Sequence, residues 1–173
     1  MITNNFYNLI KMQLAKTSTN KGLLPVTAVD GVTYYLSNAI TTASFPYAAT
    51  NSFALVAANA GVSIGTGSTA ATVNDYQLEA TITSDVWQTC MLDTGLDGDG
   101  KAYVAYELIV KNTGETNLTI AEVGYKQPLY AATAQGGTSS AVRVCLLDRT
   151  VLDTPLVLAP GEFGEITYKL RTV

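Results

Sequence analysis

At 173 residues the chain is the size of one ordinary domain, long enough to bury roughly 70% of its unfolded surface around a single core without staples. Charged residues make up only 14% against 47% apolar, so much of the surface falls to Thr, Ser, Asn, Gln and Gly, which suits neighbours packed side by side. A net charge of −4 with no basic stripe argues against nucleic acid as a main partner, and the absence of histidine removes the commonest general base and metal ligand.

The longest mostly apolar stretch, residues 53–64, falls short of the roughly 20 residues that span a bilayer. The N-terminal residues lack a charged leader, a sustained apolar core and a small-residue cleavage site, so folding in the cytosol is expected. In that compartment Cys90 and Cys145 are expected to stay as buried thiols, with a disulfide as the alternative.

Residues 4–16 place Phe6, Leu9, Ile10, Gln13 and Leu14 at intervals of three and four, with Thr3 or Asn4 available as N-cap. This predicts one helix within a docking segment, residues 1–22, whose apolar stripe meets either its own domain or a neighbouring subunit. Gly22 and Pro25 end it, and residues 23–173 read as a single β-sandwich domain.

Asp30-Gly31 between Val26-Thr27-Ala28-Val29 and Val32-Thr33-Tyr34-Tyr35-Leu36 predicts a hairpin with a two-residue turn, both central positions at positive φ. From residue 37 to 59 the pattern dissolves and then resumes as a strand at residues 53–57; the first part reads as a long surface loop, a contact candidate. Gly65-Thr66-Gly67-Ser68 lacks the Lys-Ser/Thr of a P-loop and reads as a turn or linker. After Asn74-Asp75, the alternation of Tyr76-Gln77-Leu78-Glu79-Ala80-Thr81-Ile82 predicts a strand.

Residues 86–92 and 102–111 predict the clearest antiparallel pair, with Val104, Tyr106, Leu108 and Val110 on one face and Tyr103, Glu107 and Lys111 on the other. Their acidic, Gly-rich connection, Asp93 to Gly100, invites a calcium reading. Counting the EF-hand pattern from Asp93 puts Val104 at position twelve, and from Asp97 puts Leu108 there, so neither register supplies the bidentate Glu and a hairpin tip is preferred. Asn112-Thr113-Gly114 is the next turn, leading to a strand over residues 118–125. A second loop spans residues 131–140. Residues 142–147 return to strand, Asp148-Arg149 breaks it, and residues 155–158 form a short strand before the Ala159-Pro160-Gly161-Glu162 turn. The last strand turns Ile166, Tyr168 and Leu170 inward and Glu165, Thr167, Lys169 and Arg171 outward. Some eight strands with one short N-terminal helix predict an all-β fold, an antiparallel β-sandwich or jelly roll.

Without histidine, the remaining route to catalysis is a carboxylate pair drawn from Asp85, Asp93, Asp97, Asp99, Glu107, Glu122 and Asp148. Most of these fall at turns, where Asp serves the backbone, and no constellation meets the role-by-role requirements of an active site. No catalytic, cofactor or metal residues are assigned, and no cofactor is expected. Trp87 and the ten tyrosines leave a carbohydrate-binding module as an alternative, since aromatic faces stack on sugar rings.

Read together, residues 64–79 (IGTGSTAATVNDYQLE) resemble a pattern from small structural proteins of tailed-bacteriophage virions, in which a Gly-Thr-Gly-Thr-like turn precedes an Asp-x-x-Leu-Glu step. The likeness extends to Asn112-Thr113-Gly114, to Leu147-Asp148-Arg149-Thr150-Val151, to Ala159-Pro160-Gly161-Glu162 and to Thr167-Tyr168-Lys169-Leu170, covering residues 64–173 and leaving the N-terminal third unmatched. The resemblance implies a non-enzymatic virion part assembled in the host cytoplasm, either a capsid decoration or head/collar accessory protein or a tail or adsorption-apparatus component. Its partners would be copies of itself and other virion proteins, such as the major capsid, portal, collar or tail proteins. The N-terminal segment and one sheet face are the expected contact surfaces.

Overall fold

A computed structural model describes residues 1–15, 24–36, 61–134 and 140–171. The long loop expected after residue 36, the strand at 53–57 and Gly22 lie outside the described residues, as do residues 135–139 of the loop expected at 131–140, whose ends, Ala131, Ala132 and Ser140, are strand instead. The fold is all-β and antiparallel, with one N-terminal helix, α1 (Asn4–Ala15), and eight strands among the described residues: β1 (Pro25–Thr27), β2 (Thr33–Leu36), β3 (Gly61–Gly65), β4 (Val86–Leu96), β5 (Ala102–Asn112), β6 (Leu118–Ala132), β7 (Ser140–Leu158) and β8 (Phe163–Arg171).

Two sheets face each other. The smaller has the order β4-β5-β8, paired without a bulge along both ladders. The larger is built on the long β6/β7 hairpin, with β3 and β2 sharing the other side of β6 and β1 beyond β2. Period-two patterning sets the core as the sequence predicts. Tyr106, Leu108 and Val110 of β5 and Ile166 and Tyr168 of β8 are buried, and Tyr106 stacks on Tyr125 of the opposite sheet at 5.2 Å between ring centroids.

The far end of the larger sheet closes on itself. β1 pairs with β2, β2 with β6 and β6 with β7, and the chain just after β1 returns to β7 through the Ala28↔Cys145 bridge and the Val29 N–H to Val144 carbonyl bond of 3.0 Å. The hairpin that makes this possible forms at Asp30-Gly31, but by a different turn. Gly31 N–H donates to Ala28 O at 2.9 Å, only Gly31 has positive φ (79°), and Asp30 Oδ1 instead accepts from Val32 N–H at 2.9 Å. An Asp side chain that caps its own turn removes the need for a second left-handed residue.

β7 departs furthest from expectation. Residues 140–158 form one strand where two were expected, and Asp148-Arg149 does not break it. The irregularities are two bulges: residues 152–155 stand against Ala121 alone, and Leu147 is extra opposite the Tyr125/Lys126 step. A bulge leaves carbonyls without ladder partners, and residues 3–5 take them. Thr3 N–H donates to Leu147 O at 3.0 Å, the Thr3 hydroxyl lies 2.8 Å from Leu146 O, and Asn5 Nδ2 donates to Leu146 O at 3.0 Å and Thr27 O at 2.7 Å. Thr3 therefore precedes the helix as predicted, with its hydroxyl spent on β7 rather than on the helix N-terminus. Leu9 is buried in the core, with Phe6 packed against it. Of the two docking partners considered for α1, these residues meet their own domain.

Candidate functional site

The motifs that carry the virion resemblance converge at two buried polar hubs. The first is centred on Arg149, 3% exposed, just past the Leu147 bulge. Its Nε donates to Glu122 Oε2 at 2.7 Å, Nη1 to Asp75 Oδ2 at 2.8 Å, and Nη2 to Thr69 O at 3.1 Å and Glu79 Oε2 at 3.3 Å. Glu122, fully buried on the neighbouring strand, accepts in addition from the backbone N–H of Gly67 (3.1 Å), Glu79 (3.1 Å) and Ala80 (2.8 Å).

That carboxylate explains why residues 76–82 alternate like a strand and yet form none: it takes amides that a ladder neighbour would have bonded. A single bridge, Gly65↔Thr81, remains. It also explains the glycines of Gly65-Thr66-Gly67-Ser68. A Cβ on Gly65 would sit 2.5 Å from Glu122 Oε1, and one on Gly67 would sit 2.6 Å from the same atom and 2.5 Å from Glu79 Cβ. The segment is a close-fitting wrap over a buried carboxylate, not a linker.

Burial opposes ionisation of Asp75, but hydrogen bonds from Arg149 and Thr72 outweigh it and hold the carboxyl below its ordinary value. Glu79 is likewise lowered, first by the Thr69 N–H at 2.8 Å and then by the Thr69 hydroxyl at 2.9 Å. Burial would lower the Arg149 value, and the bonds to Asp75 and Glu122 raise it instead. All three carboxylates converge on the cation, so no acid/base pair is assembled. A shallow hollow of about 290 Å³ above the guanidinium, lined by Thr69, Asp75, Tyr76 and Glu79 among others, is the outer skin of this hub.

The second hub is Asn112, where β5 ends and the chain crosses between sheets. Its Nδ2 donates to Thr116 O at 2.7 Å and to Leu158 O at 2.9 Å, while its Oδ1 accepts from Gly114 N–H at 2.9 Å. Its backbone N–H donates to Glu162 O at 3.0 Å, and its carbonyl accepts from Gly161 N–H at 2.9 Å. Asn112-Thr113-Gly114 and Ala159-Pro160-Gly161-Glu162 are thus two halves of one corner.

The remaining candidate carboxylates are dispersed. Asp93 accepts from the Tyr103 hydroxyl at 2.8 Å, inside a β4 that runs on to Leu96. The hairpin tip is accordingly shorter than the predicted connection, and Asp97 Oδ1 closes it by accepting from Asp99 N–H at 3.0 Å and Lys101 N–H at 2.9 Å. Glu107 lies on the outer face of β5. Asp148 accepts from the Tyr168 hydroxyl and ties the two sheets together. Asp85 has φ of 58° and borders an open polar cleft of about 700 Å³ with Thr81, Ser84, Asn112, Glu115 and Asn117, but Trp87 does not line it. Trp87 and the polar groups of this cleft are therefore in separate places. Among the described residues no group of three or more Cys, Asp or Glu side chains is arranged to hold a metal. Cys90 and Cys145 are both free thiols on opposite sheets, and burial pushes Cys145 up to about 12.

The smaller sheet leaves large apolar side chains in water beside its polar ones. On its outer face Trp87 (49% exposed), Lys111 and Phe163 (58%) form one rung across β4, β5 and β8, with the Lys111 ammonium 4.9 Å from the Phe163 ring centre. Two rungs away Met91 (54%) stands beside Glu107. Period-two reading assigns these residues to the outer face but gives no reason for large apolar side chains there. No protein-family model matches the chain, and neither the curated proteins nor the solved structures yield a match.

Proposed function

We propose that this chain is a non-enzymatic structural subunit of a bacteriophage virion, a capsid decoration or head/collar accessory protein that works through contacts with neighbouring subunits. The observation that supports it most is the outer face of the β4-β5-β8 sheet, where Trp87, Met91 and Phe163 stand in solvent around Lys111 and Glu107. Several large exposed apolar side chains set among polar ones on a single sheet face suit an interaction surface. The sparse charge of the chain and the resemblance of residues 64–173 point the same way, toward a packing subunit.

The contact surface assigned here is the sheet face alone. Thr3, Asn5 and Leu9 of the N-terminal segment are occupied within their own domain, so removing residues 1–16 is expected to unseat β7 rather than merely detach an anchor.

The test is fractionation of purified particles into heads and tails, with the chain quantified by antibody or mass spectrometry. A decoration or head/collar protein follows heads at a copy number matching head or portal symmetry. Segregation with tails assigns it to the tail or adsorption apparatus, and absence from both fractions overturns the virion reading.

A further inference from the structure

We infer that β4 is a self-pairing edge: two copies of the chain join their β4 strands antiparallel across a two-fold axis, fusing two three-stranded sheets into one of six. The inference deepens the structural-subunit reading and rests on it for the setting in which pairing occurs.

β4 is the outermost strand of its sheet, bonded to β5 alone among the described residues through eleven consecutive pairs with no bulge. In an antiparallel ladder alternate residues point their N–H and C=O groups away from the partner, so one whole side of β4 presents backbone donors and acceptors that no ladder among the described residues uses. Edges of this kind are usually blunted by charge, proline, a bulge or brevity. The opposite edge follows that rule, since β8 carries exposed Glu165 and Lys169. β4 follows it less: its eleven residues carry one charge, Asp93 near the C-terminal end, and from Val86 to Leu92 it reads VWQTCML, with no charge and no proline.

Exposure supports the same reading. Trp87, Thr89 and Met91 on the outer face and Gln88 on the inner one are exposed, while Val86 and Cys90 pack against the core, so the strand is seated in its own sheet with its outer face in solvent. The partner that matches a regular, antiparallel-paired edge whose first seven residues are uncharged is another of the same kind. A second copy supplies one by symmetry, with each residue meeting its counterpart from an identical strand. Pairing also draws the two Trp87 and Met91 sets onto one continuous outer face, where they shield each other from water.

The test is sedimentation of the full chain beside the double variant T89K/M91K, with deuterium exchange of β4 amides as a second measurement. Both positions lie on the outer face at the middle of the uncharged run, so in the registers centred on Thr89, Cys90 or Met91 the new lysines confront lysines. The wild-type chain is expected to form dimers with concentration-dependent protection of alternate β4 amides, and the variant to keep its fold by circular dichroism while associating about tenfold or more weakly. A wild-type chain that stays monomeric up to its solubility limit overturns the inference. So does a dimer indifferent to the double variant, or β4 protection that arises only on adding another virion protein, which would assign the edge to that protein. Particle fractionation of the same variant separates the two ideas. Normal incorporation of a monomeric wild-type chain sinks edge pairing alone, whereas absence from particles sinks the virion reading whatever the sedimentation shows.

Discussion

The Arg149 hub and the outer face of the β4-β5-β8 sheet reverse the usual placement of charge and apolar surface. At the hub, Arg149 and Glu122 are sealed inside, with Asp75 and Glu79 completing the ring around the guanidinium. At the sheet face, Trp87, Met91 and Phe163 stand in water with few partners. Charges buried with their hydrogen bonds satisfied hold a backbone in place, because misplacing any one strands the others in low dielectric. Large apolar groups left in solvent do nothing for the isolated fold and await a surface to cover them. The hub therefore belongs to the architecture, and it is the face that the proposed function gives to interaction, although charged residues are the usual first guess for function.

The sharpest way to break that assignment is Arg149→Met. It leaves Glu122 buried among amide donors without its cation, and the expected loss is about 3–5 kcal/mol of unfolding free energy in urea. Adding Glu122→Gln should restore part of it, since the amide oxygen still accepts from the wrapped segment. A single-variant loss below about 1 kcal/mol, the range of an exposed pair, would show that the hub does not organise residues 65–80.

Asn5→Ala asks how far the N-terminal segment belongs to the same architecture. It removes the bonds of Asn5 Nδ2 to Thr27 O and Leu146 O and the 2.8 Å bond that Thr27 N–H donates to Asn5 Oδ1. A loss of roughly 1–3 kcal/mol is expected from the groups left unsatisfied. Unchanged stability would return residues 1–16 to the role of a detachable arm.

Acid should act on the hub in a defined direction. Asp75 and Glu79 both titrate below their ordinary values of 3.8 and 4.5 when folded, so the unfolded chain binds protons first as pH falls. Their contribution is complete above those ordinary values, shrinks as pH drops below them, and is gone once pH passes the folded values. Urea midpoints measured from about pH 6 down to about pH 3 should fall in that window. The fall should be shallower in Arg149→Met, where the depressing partner is missing. An equal slope in both proteins would trace the acid sensitivity to other carboxylates.

How much of this could be read from the chain follows from the range of the interactions. β5 and β8 are legible because one face is core and the other wet, a local pattern that period two captures. The Asp30-Gly31 hairpin is legible as a hairpin but not by turn type, because the Asp30 carboxylate that caps it carries no sequence mark distinguishing it from a left-handed Asp. Residues 76–82 look like a strand and Asp148-Arg149 like a break for one shared reason: the groups that decide both, Glu122 and Arg149, lie far away in sequence and act through side chains. Two glycines one residue apart before an Asp-x-x-x-Glu spacing were the available hint that a bulky group had to fit beneath the backbone. The exposed Trp87 and Phe163 had no such hint, since alternation fixes which face they take but not what covers that face.

The smallest expected effect on stability is the one that sharpens the comparison from the other side. Trp87→Ala and Phe163→Ala remove half-exposed rings whose burial within the single chain is incomplete, and Trp87→Ala should shift unfolding free energy by no more than about 0.5 kcal/mol. Phe163→Ala also releases Lys111 from its ring, an exposed contact of about 0.5–1 kcal/mol at most, which sets the ceiling for that variant. Both should nevertheless lower the copy number recovered with particles, since hydrophobic anchors at an interface lose far more on truncation than scattered surface groups do. A Trp87→Ala chain that loses several kcal/mol as an isolated protein would mean the ring is covered by its own domain in solution. One that is stable and incorporates at full copy number would mean the face is never occupied. Only stability retained with incorporation reduced fits a face built for a neighbour, and Arg149→Met, unfolding first, cannot produce that pairing of results.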